Sequence, residues 1–320
     1  MVDIMLCLPY RNIYKYGGHK DIMAYTEIQE KRGRKYYYRS KSIKKNKKVL
    51  KKKIYLGINL SKEEIIKKEK EADKKLNLLE AILSKEDINF LIKLKKDFSK
   101  EPKENFENRY EAFCSLFTHN STAIEGNTLT LSETSYLLFE GIVPSTHSLR
   151  EINEVLNHKK AFDFILRYKR DITREFILEL HRLVVMDTLR EDLVSQIGKY
   201  RTVQVYIGNS TPPKPHEVPE KITNLLKWYS KNKNKLHPLI VASYFHTEFE
   251  KIHPFVDGNG RVGRLLINFI LHKNKYPMLN IPNSRRFKYY KFLQEAHRTG
   301  NLMLFVKFLI GILKKETLRF

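Results

Sequence analysis

The sequence predicts a mostly α-helical protein that carries one short β-hairpin and is preceded by a small, basic, β-rich N-terminal module. Three observations lead to this class. From Glu104 onward, apolar residues recur at spacings of three and four through nine successive segments. Thr202 to Gly208 breaks that rhythm, because Val203, Val205 and Ile207 alternate with Thr202, Gln204 and Tyr206 until Pro212, Pro213 and Pro215 end the extended run. Near the N-terminus, Tyr36 to Arg39 and Val49 to Leu56 are rich in aromatic and β-branched residues. A chain of 320 residues that is 42% hydrophobic can bury one or two cores, so disorder is not the default reading.

The elements follow in order. Residues 36–43 and 47–57 read as two strands with Lys44 to Lys48 as the turn, and residues 1–60 form the basic module that Gly57 closes. Ser61 stands three residues before Glu64, and Ser84 three before Asp87, so each pair reads as a capping box opening a charged helix within a helical linker region, 61–103. The third domain, 104–320, is expected to hold helices over 104–125, 132–139, 148–168, 173–186, 217–231, 237–252, 259–273, 285–298 and 302–316. No repeat at solenoid periods interrupts them.

Charge is unevenly spread. The formal net charge is +24, and residues 1–60 carry 16 Lys or Arg against 4 Asp or Glu. Between Lys31 and Lys53, thirteen of 23 residues are basic and none is acidic. Such density fits a contact with nucleic acid or an acidic partner, and equally fits solvated strand faces on which lysines blunt edge pairing. The two cysteines, Cys7 and Cys114, give neither a disulfide framework nor metal-ligand spacing. No apolar run reaches the length of about 18 residues that a membrane span needs, and Met1 to Tyr10 lacks a secretory pattern, so the expected location is the cytoplasm with no membrane partner.

The chemistry concentrates in His253-Pro254-Phe255-Val256-Asp257-Gly258-Asn259-Gly260-Arg261-Val262-Gly263-Arg264. Pro254 disfavours helix at the residue before it, so the preceding helix should stop at His253 and present an exposed ring. With an ordinary pKa near 6.5, about three quarters of such imidazole is neutral at pH 7, which suits a general base. Gly258-Asn259-Gly260 opens the next helix, where bare backbone N–H groups can converge on an anion. Asp257 can give one hard oxygen to a phosphate-bound Mg²⁺. Arg261 and Arg264 share a helix face and can fork onto phosphate oxygens.

Taken together, the nine specified positions match His-Pro-Phe-x-Asp-Gly-Asn-Gly-Arg-x-x-Arg, and the chain resembles the Fic family. The likeness runs from about Asn105 to Asn283, including Gly198-Lys199-Tyr200-Arg201, the Val218-Pro219 helix start and the approach from His246 to His253. It implies a helical Fic fold and a protein adenylyltransferase: His253 as catalytic base, Asp257 as Mg²⁺ ligand, and Gly258, Asn259, Gly260, Arg261 and Arg264 as holders of the ATP phosphates. Pro254 and Phe255 anchor the loop. A hydroxyl of Ser, Thr or Tyr on a target protein would attack the α-phosphate and release pyrophosphate. Family members that phosphorylate instead resemble a variant with Ala and Lys where this chain has Gly258 and Gly260, so AMP transfer is expected.

Two further segments carry the resemblance. Ser121-Thr122-Ala123-Ile124-Glu125-Gly126-Asn127 is similar to the family's inhibitory motif, which implies that Glu125, helped by Ser121, pairs with Arg264 and blocks the γ-phosphate. An anion in the last turn of a helix faces the negative end of the dipole, which costs about 0.3–1 kcal/mol and calls for a cationic partner. Thr202 to Gly208 falls where the family has its flap, so Val203, Gln204, Val205 and Tyr206 are expected to align a target segment by strand addition. A de-AMPylating hydrolase on the same site, and a regulatory nucleic-acid binder built on the basic module, are the alternatives. Oligomeric state, homo-oligomer included, stays open.

Overall fold

The computed structural model describes residues 25–31, 33–45, 48–76, 82–208 and 211–315. Cys7, the opening of the basic module and part of the expected 44–48 turn lie outside the described residues. The chain divides into two units, Met1–Leu76 and Asn77–Phe320.

In the first unit, β1 (Tyr25–Lys31), β2 (Arg34–Lys45) and β3 (Lys48–Ile58) form an antiparallel sheet in that order. Both expected strands are present, β2 extended by two residues at each end and β3 shifted by one residue. β1 was not expected, since Glu27 and Glu30 dilute its apolar alternation. It pairs with β2 from Tyr25↔Ser40 to Lys31↔Arg34, and Gly33, at φ 71, turns the chain between them. A bulge sits at Tyr37/Tyr38, opposite Gly57 with its φ of 149. Helix α1 (Lys62–Leu76) follows, and Ala72 joins Tyr37 and Leu56 in a small core. The expected capping box is made: Ser61 N–H donates to Glu64 Oε2 at 2.9 Å, and Glu64 N–H to Ser61 Oγ at 3.3 Å.

The second unit is helical: α2 (Lys85–Ser99), α3 (Phe106–Ala123), α4 (Leu131–Ser135), α5 (Leu149–Arg167), α6 (Arg174–Val185), α7 (Val218–Asn232), α8 (Pro238–Ile252), α9 (Asn259–Lys273), α10 (Arg286–Thr299) and α11 (Met303–Lys315). α4 runs into a π-type turn, Tyr136–Glu140, which ends on Gly141 at φ 71. Capping boxes open α2, α4 and α5. α9 is the hub. Its residues from Arg261 to Leu271 are all buried, with α3, α5, α6 and α8 packed around it. Phe245, Phe249, Phe255, Val262, Leu265, Leu266 and Phe269 fill the centre of one large core.

The expected hairpin at Thr202 to Gly208 differs from the sequence reading. Among the described residues this segment carries an isolated bridge at Ile207 and no strand ladder. Side chains hold it instead. Arg201 Nη1 donates to the Val203 carbonyl at 3.1 Å, and Gln204 Nε2 donates to the Val205 and Pro212 carbonyls, each at 3.1 Å. Prolines at 212, 213 and 215 supply no N–H for a return strand, so glutamine and arginine satisfy carbonyls that a ladder would otherwise take.

Candidate active site

The loop between α8 and α9 is built from both ends. His253 ends α8 in the left-handed region, φ 48 and ψ 64, while its N–H still reaches the Phe249 carbonyl at 2.9 Å. Pro254 then forbids another helical turn. At the far end Gly258, φ +79, opens α9, and a Cβ there would stand 2.7 Å from Val185 Cγ1. Only glycine fits both constraints. Between these points Asn259 braces the loop. Its Oδ1 accepts from Phe255 N–H at 3.0 Å and its Nδ2 donates to the Phe255 carbonyl at 2.9 Å, so what Asn259 offers outward is its backbone N–H. Phe255 is fully buried and stacks on His181 with centroids 3.7 Å apart and planes 3° apart.

Arg201 fastens the loop from the side. Its backbone N–H donates to the Pro254 carbonyl at 2.9 Å, its Nε to the His253 carbonyl at 2.8 Å, and its Nη2 to the Pro213 carbonyl. A buried guanidinium that satisfies three main-chain carbonyls is costly to replace.

The ring of His253 departs from expectation. Its side chain is 20% exposed, not solvated. Burial, countered in part by the Glu250 backbone carbonyl, lowers its pKa to about 4. The imidazole is therefore neutral at pH 7 throughout the population, a stronger form of the property the sequence suggested. Its Nδ1 lies 3.9 Å from Glu250 Oε2 and has no hydrogen-bond partner. Glu250 is itself buried, and desolvation together with the nearby Glu125 raises its pKa to about 8.

Asp257 sits at the loop tip. Burial alone would raise its pKa, but Arg261, the Gly258 N–H and Arg150 outweigh that and hold it below its ordinary value. Gly258 N–H donates to Oδ1 at 2.6 Å, Arg261 Nη2 to Oδ1 at 3.1 Å and Arg150 Nη2 to Oδ2 at 3.4 Å. Beyond it, the first bond within α9 runs from Val262 N–H to the Gly258 carbonyl at 3.0 Å. The N–H groups of Asn259, Gly260 and Arg261 thus have no carbonyl one turn back, and they converge at the positive end of the helix dipole.

Arg261 and Arg264 are each 2% exposed. Arg264 reaches the end of α3: Nε donates to Ser121 Oγ at 3.0 Å, and Nη2 donates to the Ser121 carbonyl at 2.6 Å and to Glu125 Oε1 at 2.8 Å. Glu125 lies two residues past the end of α3, just beyond the last helical turn in which the sequence placed it, and next to Gly126 with its φ of 105. A Cβ on Gly260 would collide with the Glu125 carboxylate. Desolvation works against Arg264's charge, and the Coulomb attraction of Glu125 more than restores it, so its pKa ends above the ordinary value.

The loop, the arginine pair and Glu125 with Ser121 are therefore in one place. Val203 and Tyr206 stand exposed on the irregular arm that begins at Arg201. Several residues here gave little sign in the sequence. His181, His158 and Glu154 are buried around the loop and the arginines. Glu154 and His158 are one turn apart on the stripe that continues through Ala161 and Ile165. A carboxylate and an imidazole on an apolar stripe were the available signal.

The helical body that carries this loop has counterparts among known proteins. Residues 171–271 match the family model described as Fic/DOC family. Over those residues the chain carries a Fic/DOC family domain. Protein adenylyltransferase Fic of Drosophila melanogaster is 38% identical over 203 residues, covering 62% of this chain and 40% of that protein. Its counterpart in Drosophila persimilis is 37% identical, with 62% and 39% covered. The match thus spans about two fifths of the length of these relatives. A Fic domain containing signaling protein from Bacteroides thetaiotaomicron superposes with a TM-score of 0.64 at 29% identity, covering 71% of this chain and 93% of that one. Fic-1 from C. elegans gives 0.65 at 27% identity, with 80% and 76% covered.

Proposed function

We propose that this chain is a protein adenylyltransferase that moves AMP from ATP to a Ser, Thr or Tyr hydroxyl of a target protein and is restrained by Glu125. The observation that carries this reading is the pairing of a complete loop, His253 through Arg264, with a carboxylate held 2.8 Å from Arg264. The names of the Drosophila relatives support the same activity.

In the proposed reaction the hydroxyl oxygen forms a bond to the α-phosphorus, the bond from that phosphorus to the bridging oxygen breaks, and pyrophosphate leaves. The hydroxyl proton passes to His253. Because Nδ1 faces Glu250, Nε2 is the ring nitrogen left to accept it. The N–H groups of Asn259, Gly260 and Arg261 hold the phosphate oxygens, while Arg261 and Arg264 offset the charge that gathers on the leaving group. Catalysis is then mostly positioning and charge stabilisation.

Asp257 suits a Mg²⁺ that arrives with ATP. Among the described residues no cluster of three His, Cys, Asp or Glu could hold a metal alone. One carboxylate, completed by waters and substrate oxygens, is the ordinary nucleotide-bound arrangement of this ion. Mg²⁺ would neutralise phosphate charge there. Arg150 has to yield Asp257 Oδ2 for that to happen.

Glu125 occupies the space beside Arg264 and over Gly260, so a nucleotide that needs both cannot settle productively while it stays. Exposed Val203 and Tyr206 would meet the target segment, with Gln204 and Val205 fixing the arm's path. The test uses wild type, Glu125→Gly and His253→Ala with ATP labelled at the α- or the γ-phosphate. Protein should acquire the α label, most strongly in Glu125→Gly and not at all in His253→Ala. Transfer of γ label instead would replace this reading with phosphorylation.

A further inference from the structure

Three carboxylates face the two buried arginines of α9. Glu125 holds Arg264 at 2.8 Å, Asp257 holds Arg261 Nη2 at 3.1 Å, and Glu154 Oε1 lies 3.5 Å from Arg261 Nη1. In the reaction proposed above, the first two change partner. Glu125 must leave for the nucleotide to settle, and Asp257 must turn to a metal ion. Glu250, close by, is predominantly protonated at neutral pH. Glu154 is the carboxylate that can stay.

Its surroundings are built to keep it there. Glu154 is 8% exposed, on the face of α5 that also buries Val155, His158 and Ala161. Its Oε2 accepts from Asn127 Nδ2 at 3.0 Å and its Oε1 from Arg150 Nε at 3.3 Å. Asn127 is in turn fully engaged. Its Nδ2 also donates to the Glu151 carbonyl at 3.0 Å, its Oδ1 accepts from Leu129 N–H at 3.1 Å, and its N–H reaches the Thr122 carbonyl at 3.2 Å. One acid therefore touches both Arg261 and the turn that carries Glu125.

We propose that Glu154 is a positioning residue: its carboxylate, 3.5 Å from Arg261 Nη1, holds that guanidinium by charge where no hydrogen bond does, and links it through Asn127 to the turn that bears Glu125. A guanidinium grips phosphate oxygens only when its fork is held in plane, and a displacement of about 1 Å in such a group can cost a hundredfold in rate. With Asp257 on the metal, Nη2 loses its anchor and Nη1 keeps one. Removing the negative charge of Glu154 would leave the site more positive, so nucleotide attraction would not fall while geometry would.

This inference rests on the adenylyltransferase reading, and the experiment separates the two. On the Glu125→Gly parent, Glu154→Gln, Arg261→Gln and the double variant are compared for α-label transfer, KM for ATP and thermal midpoint. Glu154→Gln should lower kcat about tenfold and change KM less than threefold. In the Arg261→Gln background the same change should cost less than twofold, because there is no guanidinium left to position. Glu154→Asp, which keeps the charge, should recover part of kcat. Equal losses with and without Arg261 would reduce Glu154 to a packing role and overturn the inference alone. No α-label transfer by the Glu125→Gly parent would overturn the adenylyltransferase reading and this inference with it.

Discussion

Glu125 Oε1 stands 2.8 Å from Arg264 Nη2, in the space that any side chain at position 260 would claim. The cation is buried and the anion is 33% exposed, so the pair is a hinge between interior and solvent and not a sealed ion pair. Arg264 also donates to the hydroxyl and the carbonyl of Ser121, two contacts that do not involve Glu125. The arginine is therefore anchored by more than its carboxylate partner.

Removing that carboxylate should release activity. Glu125→Gly is expected to raise α-label automodification ten- to hundredfold, which corresponds to a coupling of about 1.4–2.8 kcal/mol. Glu125→Gln, which keeps a neutral acceptor for Nη2, should fall between wild type and the glycine variant. Equal activity in all three proteins would remove the inhibitory role.

The acid limb of the pH–rate profile should lie low. Burial depresses the His253 pKa to about 4, so the ring is a neutral base at every pH above about 5 and is lost to protonation only below that. Single-turnover α-label transfer by the Glu125→Gly variant should hold level from pH 7.5 to about 5.5. A limb centred near 6.5 would mean that the ring is solvated when it reacts.

Gly258→Ala should harm fold and catalysis together. The residue has φ +79, and the added methyl would meet Val185 Cγ1 at 2.7 Å. Left-handed strain and overpacking each cost about 1–3 kcal/mol. A thermal midpoint lowered by several degrees, with α-label transfer lost, is expected. A variant with unchanged midpoint and transfer would show that the loop start is not constrained as described.

Acid should destabilise this protein from about pH 6.5 downward, where unfolded histidines begin to take up protons. His181 and His246 are buried with pKa values lowered to about 3, and His158 is lowered well below the ordinary range, in each case first by desolvation. Below pH 6.5 the unfolded chain takes up protons at these rings and the folded chain does not. Stability is therefore full above about 6.5 and falls as pH drops, until the folded values of about 3 for His181 and His246 are reached. Urea unfolding should show lower stability at pH 5.5 than at pH 7.5, with Glu250 offsetting part of the loss because its raised pKa favours the folded state as pH falls. Equal midpoints and slopes would contradict this.

Much of the second unit could be read directly from residue order. Each expected helix from Glu104 onward matches an observed one within a few residues, because Pro254, Gly258 and the Ser, Thr and Glu capping pairs mark boundaries by local sterics that need no tertiary partner. β1 was missed because its stability comes from pairing with β2 across Gly33, and a charged edge strand leaves little apolar alternation. The arm at 202–208 alternates like a strand, yet its carbonyls are taken by Gln204 and Arg201, side chains whose reach no periodicity encodes. The active loop was legible since its residues are contiguous. Glu154, His158 and His181 were not, because their roles come from α5 and α6 packing beside α9, a relationship made only in three dimensions.

Arg201 gives one guanidinium to both the His253 carbonyl and the base of the exposed arm. Under the proposed function, docking and reactivity would share that one fastener. A polypeptide that seats badly on Val203 and Tyr206 would tug the catalytic ring out of line through that fastener. Discrimination between substrates would then show itself as slow turnover of captured misfits, with capture itself left permissive.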